Sequence, residues 1–289
     1  MRKIIVALAC CTFAAGVTAQ DKVQLRLVPQ PDQWVQFHMV QEMSTGGAAA
    51  ASDRVAPDML VKMVATFTQT TGHPDPDGRV KAEVTYDEFS ATMTTGGKTT
   101  PIAKPFPLLG QQMTAIYDAQ GKLVDIQPPG EMPAPVVAQI RQMMASVFSG
   151  LGSNSFAVGE TVSMPIDMTV PSTTAAAPAL TGTMSMTLRS IAEEGGERIA
   201  HFNQKMQLSM DGARKLPNAG SSTESRTMTM SMKMAGGGTM DYNVNRGFMV
   251  ANRLEATIDT KTSFDHPLPK GMPNFDMHMI IKTSVDATY

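Results

Sequence analysis

The chain has 289 residues with 26 acidic and 24 basic side chains, a formal net charge of −2, and no basic stripe of the kind nucleic-acid binding needs. Its two cysteines, Cys10 and Cys11, sit near the start, so the rest of the chain offers no disulfide, no thiolate nucleophile and no soft sulfur anion for a metal. Methionine is the unusual component: 25 Met stand against 11 Phe, 4 Tyr and 1 Trp, so thioethers fill space that rings usually fill.

Arg2 and Lys3 precede an apolar run from Ile4 to Ala15 and the small-residue stretch Val17-Thr18-Ala19. This pattern predicts a secretory signal peptide over residues 1–19, with cleavage before Gln20 and export to the bacterial periplasm. The run is too short to span a membrane as a helix, and no later stretch approaches the required length. Removing the signal takes away Arg2 and Lys3 and no acids, which moves the formal net charge from −2 to −4. The alternative is a lipoprotein anchored through Cys10, which follows Ala7-Leu8-Ala9; the apolar run before it is then only Ile4 to Ala9.

Strand after strand follows. Val23 to Val28 alternates cleanly and ends at Pro29 and Pro31; Trp34 to Met43 forms a second strand, and Ser44 to Pro57 reads as a loop. Leu60 to Thr70 is a third strand, closed by the Gly72-His73-Pro74-Asp75-Pro76-Asp77-Gly78 turn. That turn lacks calcium-loop spacing, because Gly78 follows only two aspartates and Glu83 comes too soon. Arg79 to Met93 is long enough for a strand with a bend, Gly96-Gly97 turns the chain, and Pro101 to Pro107 is irregular. Gln112 to Tyr117 and Lys122 to Ile126 flank a hairpin at Asp118-Ala119-Gln120-Gly121.

Met132 to Gly152 breaks the pattern. Val137, Ile140, Met144, Val147 and Leu151 recur at steps of three and four, with Pro133 and Pro135 at the entry and Gly150 and Gly152 at the exit. The spacing predicts one helix with an apolar face, suited to covering a sheet. Period two returns afterwards, in Thr161 to Val170, Thr181 to Ile191, Arg198 to Met210, Ser225 to Met234, Thr239 to Val244, Gly247 to Thr260 and Phe275 to Val285. Gly195-Gly196, Asn218 and Gly236-Gly237-Gly238 read as connections between them. Tyr117-Asp118 leading to Gly121, Leu123 and Val124 is echoed by Tyr242-Asn243 leading to Gly247, Met249 and Val250. Two meanders of like design explain the echo.

Thr85-Tyr86-Asp87, the Pro105-to-Gly110 segment, Tyr117-Asp118 with Gly121-Lys122-Leu123-Val124, and Val158-Gly159-Glu160-Thr161-Val162 together resemble a secreted bacterial family, domain of unknown function 6263. The resemblance covers roughly Val23 to Val285, departs where that family tends to carry an aromatic at the position of Val162, and implies a β-rich envelope protein with nothing catalytic. A large curved sheet with a covering helix is also similar, by architecture alone, to the half-barrels of periplasmic lipoprotein sorting.

The sequence therefore predicts an all-β, mainly antiparallel fold, a curved sheet or paired half-barrels with one covering α-helix. The parts are a signal over 1–19, a meander over 20–130, the helix over 131–152 and a second meander over 153–289, with 20–289 also readable as one domain. Met184, Met186 and Leu188 share one strand face, as do Met206, Leu208 and Met210, and Met228, Met230, Met232 and Met234. A non-catalytic role is expected: an apolar or lipid-like molecule, or an envelope protein, held on a Met-rich concave face. Its candidate residues are Ile140, Met144, Val147, Met184, Met186, Met206, Met210, Met228, Met230 and Met232. Nucleic acid is not an expected partner. Hydrolase and phosphate-loop motifs are absent, so no residue is assigned a catalytic role, and a carboxylate pair in a cleft is the alternative chemistry. No cofactor or metal is expected; a copper(I) site built from Met277, His278 and Met279 fails because a strand points the histidine away from both methionines.

Overall fold

The computed structural model of the chain describes residues 22–25, 30–46, 58–102, 109–119, 123–128, 130, 137, 154–169, 179–216, 226–265 and 276–289. Through these run β1 (Lys22–Gln24), β2 (Trp34–Gly46), β3 (Met59–Thr71), β4 (Val80–Thr95), β5 (Lys98–Pro101), β6 (Gln112–Tyr117) and β7 (Leu123–Gln127). The second series is β8 (Ser155–Ala157), β9 (Thr161–Thr169), β10 (Ala179–Glu194), β11 (Glu197–Leu216), β12 (Arg226–Asn243), β13 (Phe248–Phe264) and β14 (Met277–Thr288). The predicted helix, with Ile140, Met144 and Val147, lies outside the described residues except for Val137.

The strands form one open, curved antiparallel sheet in the order β7, β6, β4, β3, β2, β14, β13, β12, β11, β10, β9, with β5 paired to β4. Right-handed twist accumulating over so many strands is what makes a sheet of this width curl. The fold is all-β, as the alternation predicts. β2 and β14, the first and last strands of the sheet in the chain, are neighbours in its middle, in register from Gln36 opposite Thr288 to Gly46 opposite His278. The two meanders therefore meet in one sheet whose open edges are β7 and β9.

Three features differ from the sequence reading. Gly236-Gly237-Gly238 is no connection: β12 runs straight through it, with Gly236 opposite Ala256 and Gly238 opposite Leu254. At Gly236 and Gly238 the neighbouring strand comes too close for a side chain. A Cβ on Gly238 would lie 1.8 Å from the Arg253 carbonyl oxygen, and one on Gly236 2.6 Å from the Ala256 Cβ. β5 arises where Pro101 was read as the start of irregular chain, and β1 pairs with the unforeseen β8 in a separate two-stranded ribbon, Val23 opposite Phe156.

One end of the sheet, the lower rim, carries the tight Gly195-Gly196 and Val244-to-Gly247 turns, the Gly72-to-Arg79 loop and Tyr289 at the end of the chain. The core is concentrated there. Val23, Leu25 and Phe156 press from the ribbon onto Met164, Met186, Leu188, Phe202 and Tyr242, with Phe156 and Phe202 edge to face at 5.2 Å. Val35, Phe37, Phe248 and Val285 form a second cluster, and Ala82, Ala115 and Tyr117 a third. Register shifts fall in this lower half, at Leu188/Ser190, Asp241/Tyr242, Thr66/Phe67 and Ile116/Tyr117, where extra twist tightens the curl. Two of them sit beside Tyr242 and Tyr117, so the hairpins that echo each other in sequence share a bulge and a buried tyrosine.

Candidate functional site

Ladder registers determine which side chains share a face. Met164, Met184, Met206, Gly236, Ala256, Ile281, Met43, Val61 and Met93 form one row across nine strands, from β9 to β4. Nearer the upper rim, Leu180, Met210, Met232, Thr260 and Met277 form another. All seven described candidates, Met184, Met186, Met206, Met210, Met228, Met230 and Met232, thus lie on one face of one sheet.

Their surroundings divide them. Met186 is 1% exposed and, with Met184 packed beside it, belongs to the core under the β1/β8 ribbon. Met210 is buried as well, between Leu180 and Met232 on the flanking strands. Met206, Met228, Met230 and Met232 are half-buried, and Met277, on the same face, is 41% exposed. Among the described residues the ribbon is the only element lying over this face, and it covers the lower end under β9, β10 and β11. Sequence spacing found the face but could not separate its core end from its open end. The division depends on Val23, Leu25 and Phe156, which come from far away in the chain.

The face carries no charge over most of its extent. Between the row of Ala200 and Tyr242 and the row of Gly212 and Met230, no position on this face is Asp, Glu, Lys, Arg or His. The same holds along β2, β3, β4, β6, β13 and β14. Among the described side chains, charges of this parity stand at the lower rim, in Glu193 and Arg198, and on β5, in Lys98. Two of the amides on the face are tied to polar neighbours on adjacent strands. Gln204 donates to the side-chain oxygen of Asn252, and Gln41 donates to Thr283 Oγ1 at 3.4 Å.

The opposite face holds the charges. Lys205, Gly237, Glu255, Lys282, Glu42 and Lys62 follow one another across β11 to β3. Lys62 pairs with Glu42 at 3.0 Å and Lys282 with Glu255 at 3.5 Å. A shallow groove over this row brings Glu42 and Glu255 near Lys282 and Arg253. Each glutamate is tied to a lysine on an open sheet surface, an arrangement that stitches strands together and differs from two carboxylates facing each other in a closed cleft. His201 and His278 are on this side too: His201 Nδ1 meets Asp241 at 2.8 Å and its Nε2 meets Glu194 at 3.2 Å, while His278 Nδ1 meets Asp259 at 2.7 Å. Met277 and Met279 project from the other face, so they and His278 do not converge. No group of His, Asp or Glu side chains among the described residues is arranged to hold a metal ion.

Comparison with known proteins adds little. No family matches the chain, and no curated protein does. Among solved structures, a Salmonella typhi OmpF in complex with daunomycin aligns over 90% of this chain and 100% of its own, at 8% identity and a TM-score of 0.29. A score that low does not show a shared fold. No helix among the described residues is long and apolar enough to cross a membrane.

Proposed function

We propose that this protein is an exported, non-catalytic binding protein that holds an apolar, lipid-like ligand on the methionine face toward the upper rim. One observation carries the reading: a single-layer sheet presents a wide apolar face that, among the described residues, only a six-residue ribbon at the lower end lies over. Soluble proteins rarely leave a contiguous apolar patch beyond a few hundred Å² without a partner or ligand. Met206, Met228, Met230 and Met232 are half-buried and unbranched, which suits a surface that repacks around chains of varied shape. The signal-like start at residues 1–19 supports a periplasmic site of action, and the hairpin motifs that resemble those of the secreted family 6263 support an envelope role without catalysis.

The test is extraction. Protein purified from its native periplasm without detergent, and analysed by native mass spectrometry, carries lipid-like mass at close to one molecule per chain. Delipidated protein then takes up N-phenyl-1-naphthylamine with a rise in fluorescence, and Met232→Asp, placing an unpaired carboxylate on the face, lowers that uptake at least tenfold. Lipid-free protein that also fails to take up the probe refutes the proposal.

A further inference from the structure

The same face states what kind of contact the ligand makes. We infer that it takes acyl chains alone and leaves the head group unread, a conclusion that rests on the binding role proposed above. Across β11, β12, β13, β14 and β2 the face extends about 20 Å across the strands and about 30 Å along them without a charged residue. A carboxylate, phosphate or ammonium drawn onto that surface would lose its hydration and find no counter-charge. Neutral polar partners are scarce as well, because Gln204 is committed to Asn252 and Gln41 to Thr283. The remaining half-buried positions are mostly methionine, leucine and isoleucine, in Met206, Met232, Met234, Leu254, Ile258 and Ile281, with Thr45 and Thr260 among them. Such a surface carries no charge and offers few hydrogen-bonding groups, which suits hydrocarbon. The ionised part of a ligand therefore stays in water beyond the charge-free rows, and these rows do not select among head groups.

Two dependences follow. Affinity climbs with chain length, by about fourfold per methylene, the equivalent of ~0.8 kcal/mol per buried CH₂. It does not follow the head group. Hexadecanol, palmitate and hexadecyltrimethylammonium, each below its critical micelle concentration, displace N-phenyl-1-naphthylamine from the delipidated full-length protein with dissociation constants within about threefold of one another. The palmitate value moves by less than twofold between 20 and 500 mM NaCl, because no ion pair is formed for salt to screen. Met232→Lys supplies the missing charge: palmitate then binds at least tenfold tighter than hexadecyltrimethylammonium, with circular dichroism confirming an intact sheet. A tenfold or larger spread among the three head groups on the unaltered protein, or a strong salt dependence, overturns this inference and leaves the binding role standing. Failure of every chain to displace the probe, or of the probe to bind, overturns both.

Discussion

Gly238→Ala, set against Gly237→Ala, tests the close approach of β12 and β13. The added methyl at 238 would sit 1.8 Å from the Arg253 carbonyl oxygen, 2.8 Å from its carbonyl carbon and 3.0 Å from the Leu254 Cα, all of them backbone. Comfortable contact requires about 3.5 Å, so the two strands must part locally by well over 1 Å. A parting of that size stretches the two nearest ladder hydrogen bonds beyond useful length. At about 1 kcal/mol for each bond, and a further 1–2 kcal/mol for groups left unpaired, the loss is about 3–4 kcal/mol. At Gly237, one residue away on the opposite face, the nearest atom is the Gln204 carbonyl oxygen at 3.1 Å, and the neighbour need move only a few tenths of an ångström. Reduced freedom of the unfolded chain offsets that strain by about 0.4–1 kcal/mol, so Gly237→Ala comes out within about 1 kcal/mol of the parent. Urea melts of the three proteins, compared at equal slope, give the difference. Losses within 0.5 kcal/mol of each other would show that the strands are not held as closely as described.

Met186→Ala removes a side chain sealed beneath the ribbon and costs about 2–5 kcal/mol, whereas Met232→Ala costs about 1 kcal/mol or less and instead weakens chain binding. Equal losses in thermal melts, or a binding change in Met186→Ala alone, would reverse the division between core and open face. Burial holds the phenols of Tyr86 and Tyr117 above the ordinary tyrosine value of 10.0. The folded state thus favours their neutral form, and that contribution to stability is full below about pH 10 and is lost as pH rises through the folded-state values. In an ultraviolet titration Tyr86 and Tyr117 ionise late, a component that Tyr86→Phe and Tyr117→Phe each reduce; ionisation of these two at the ordinary value in the intact protein would contradict their burial.

Much of the fold was legible because period two leaves few alternatives: Thr181 to Ile191 and Arg198 to Met210 show their alternation openly, within the longer β10 and β11. Gly236-Gly237-Gly238 misled because glycine marks a turn and a close backbone approach with the same letter, and only the position of the neighbouring strand tells them apart. β8 is three residues, too short for any periodicity, and the alternation that marks Val23 gives no sign of its partner, yet Val23 and Phe156 decide which methionines are core. Alternation placed Met228, Met230 and Met232 on one side of their strand. That this side is continuous with Met43 and Val61 depends on β14 meeting β2, a pairing across most of the chain that no local pattern encodes.

The joint between β2 and β14 also sets the order of events in time. Residues brought together there, such as Phe37 and Ala287, are separated by almost the whole chain. As the protein leaves a ribosome or a translocation channel from its N-terminus, β2 through β7 can assemble early, but the outer side of β2 stays raw until the last strand arrives. Closing a loop of that length comes late and slowly. For all that interval the exposed edge invites wrong partners, including the β2 of another nascent chain. A polypeptide threaded across a membrane unfolded and released whole meets its final strand with the least delay, so an export route of that kind suits this topology better than folding during slow synthesis.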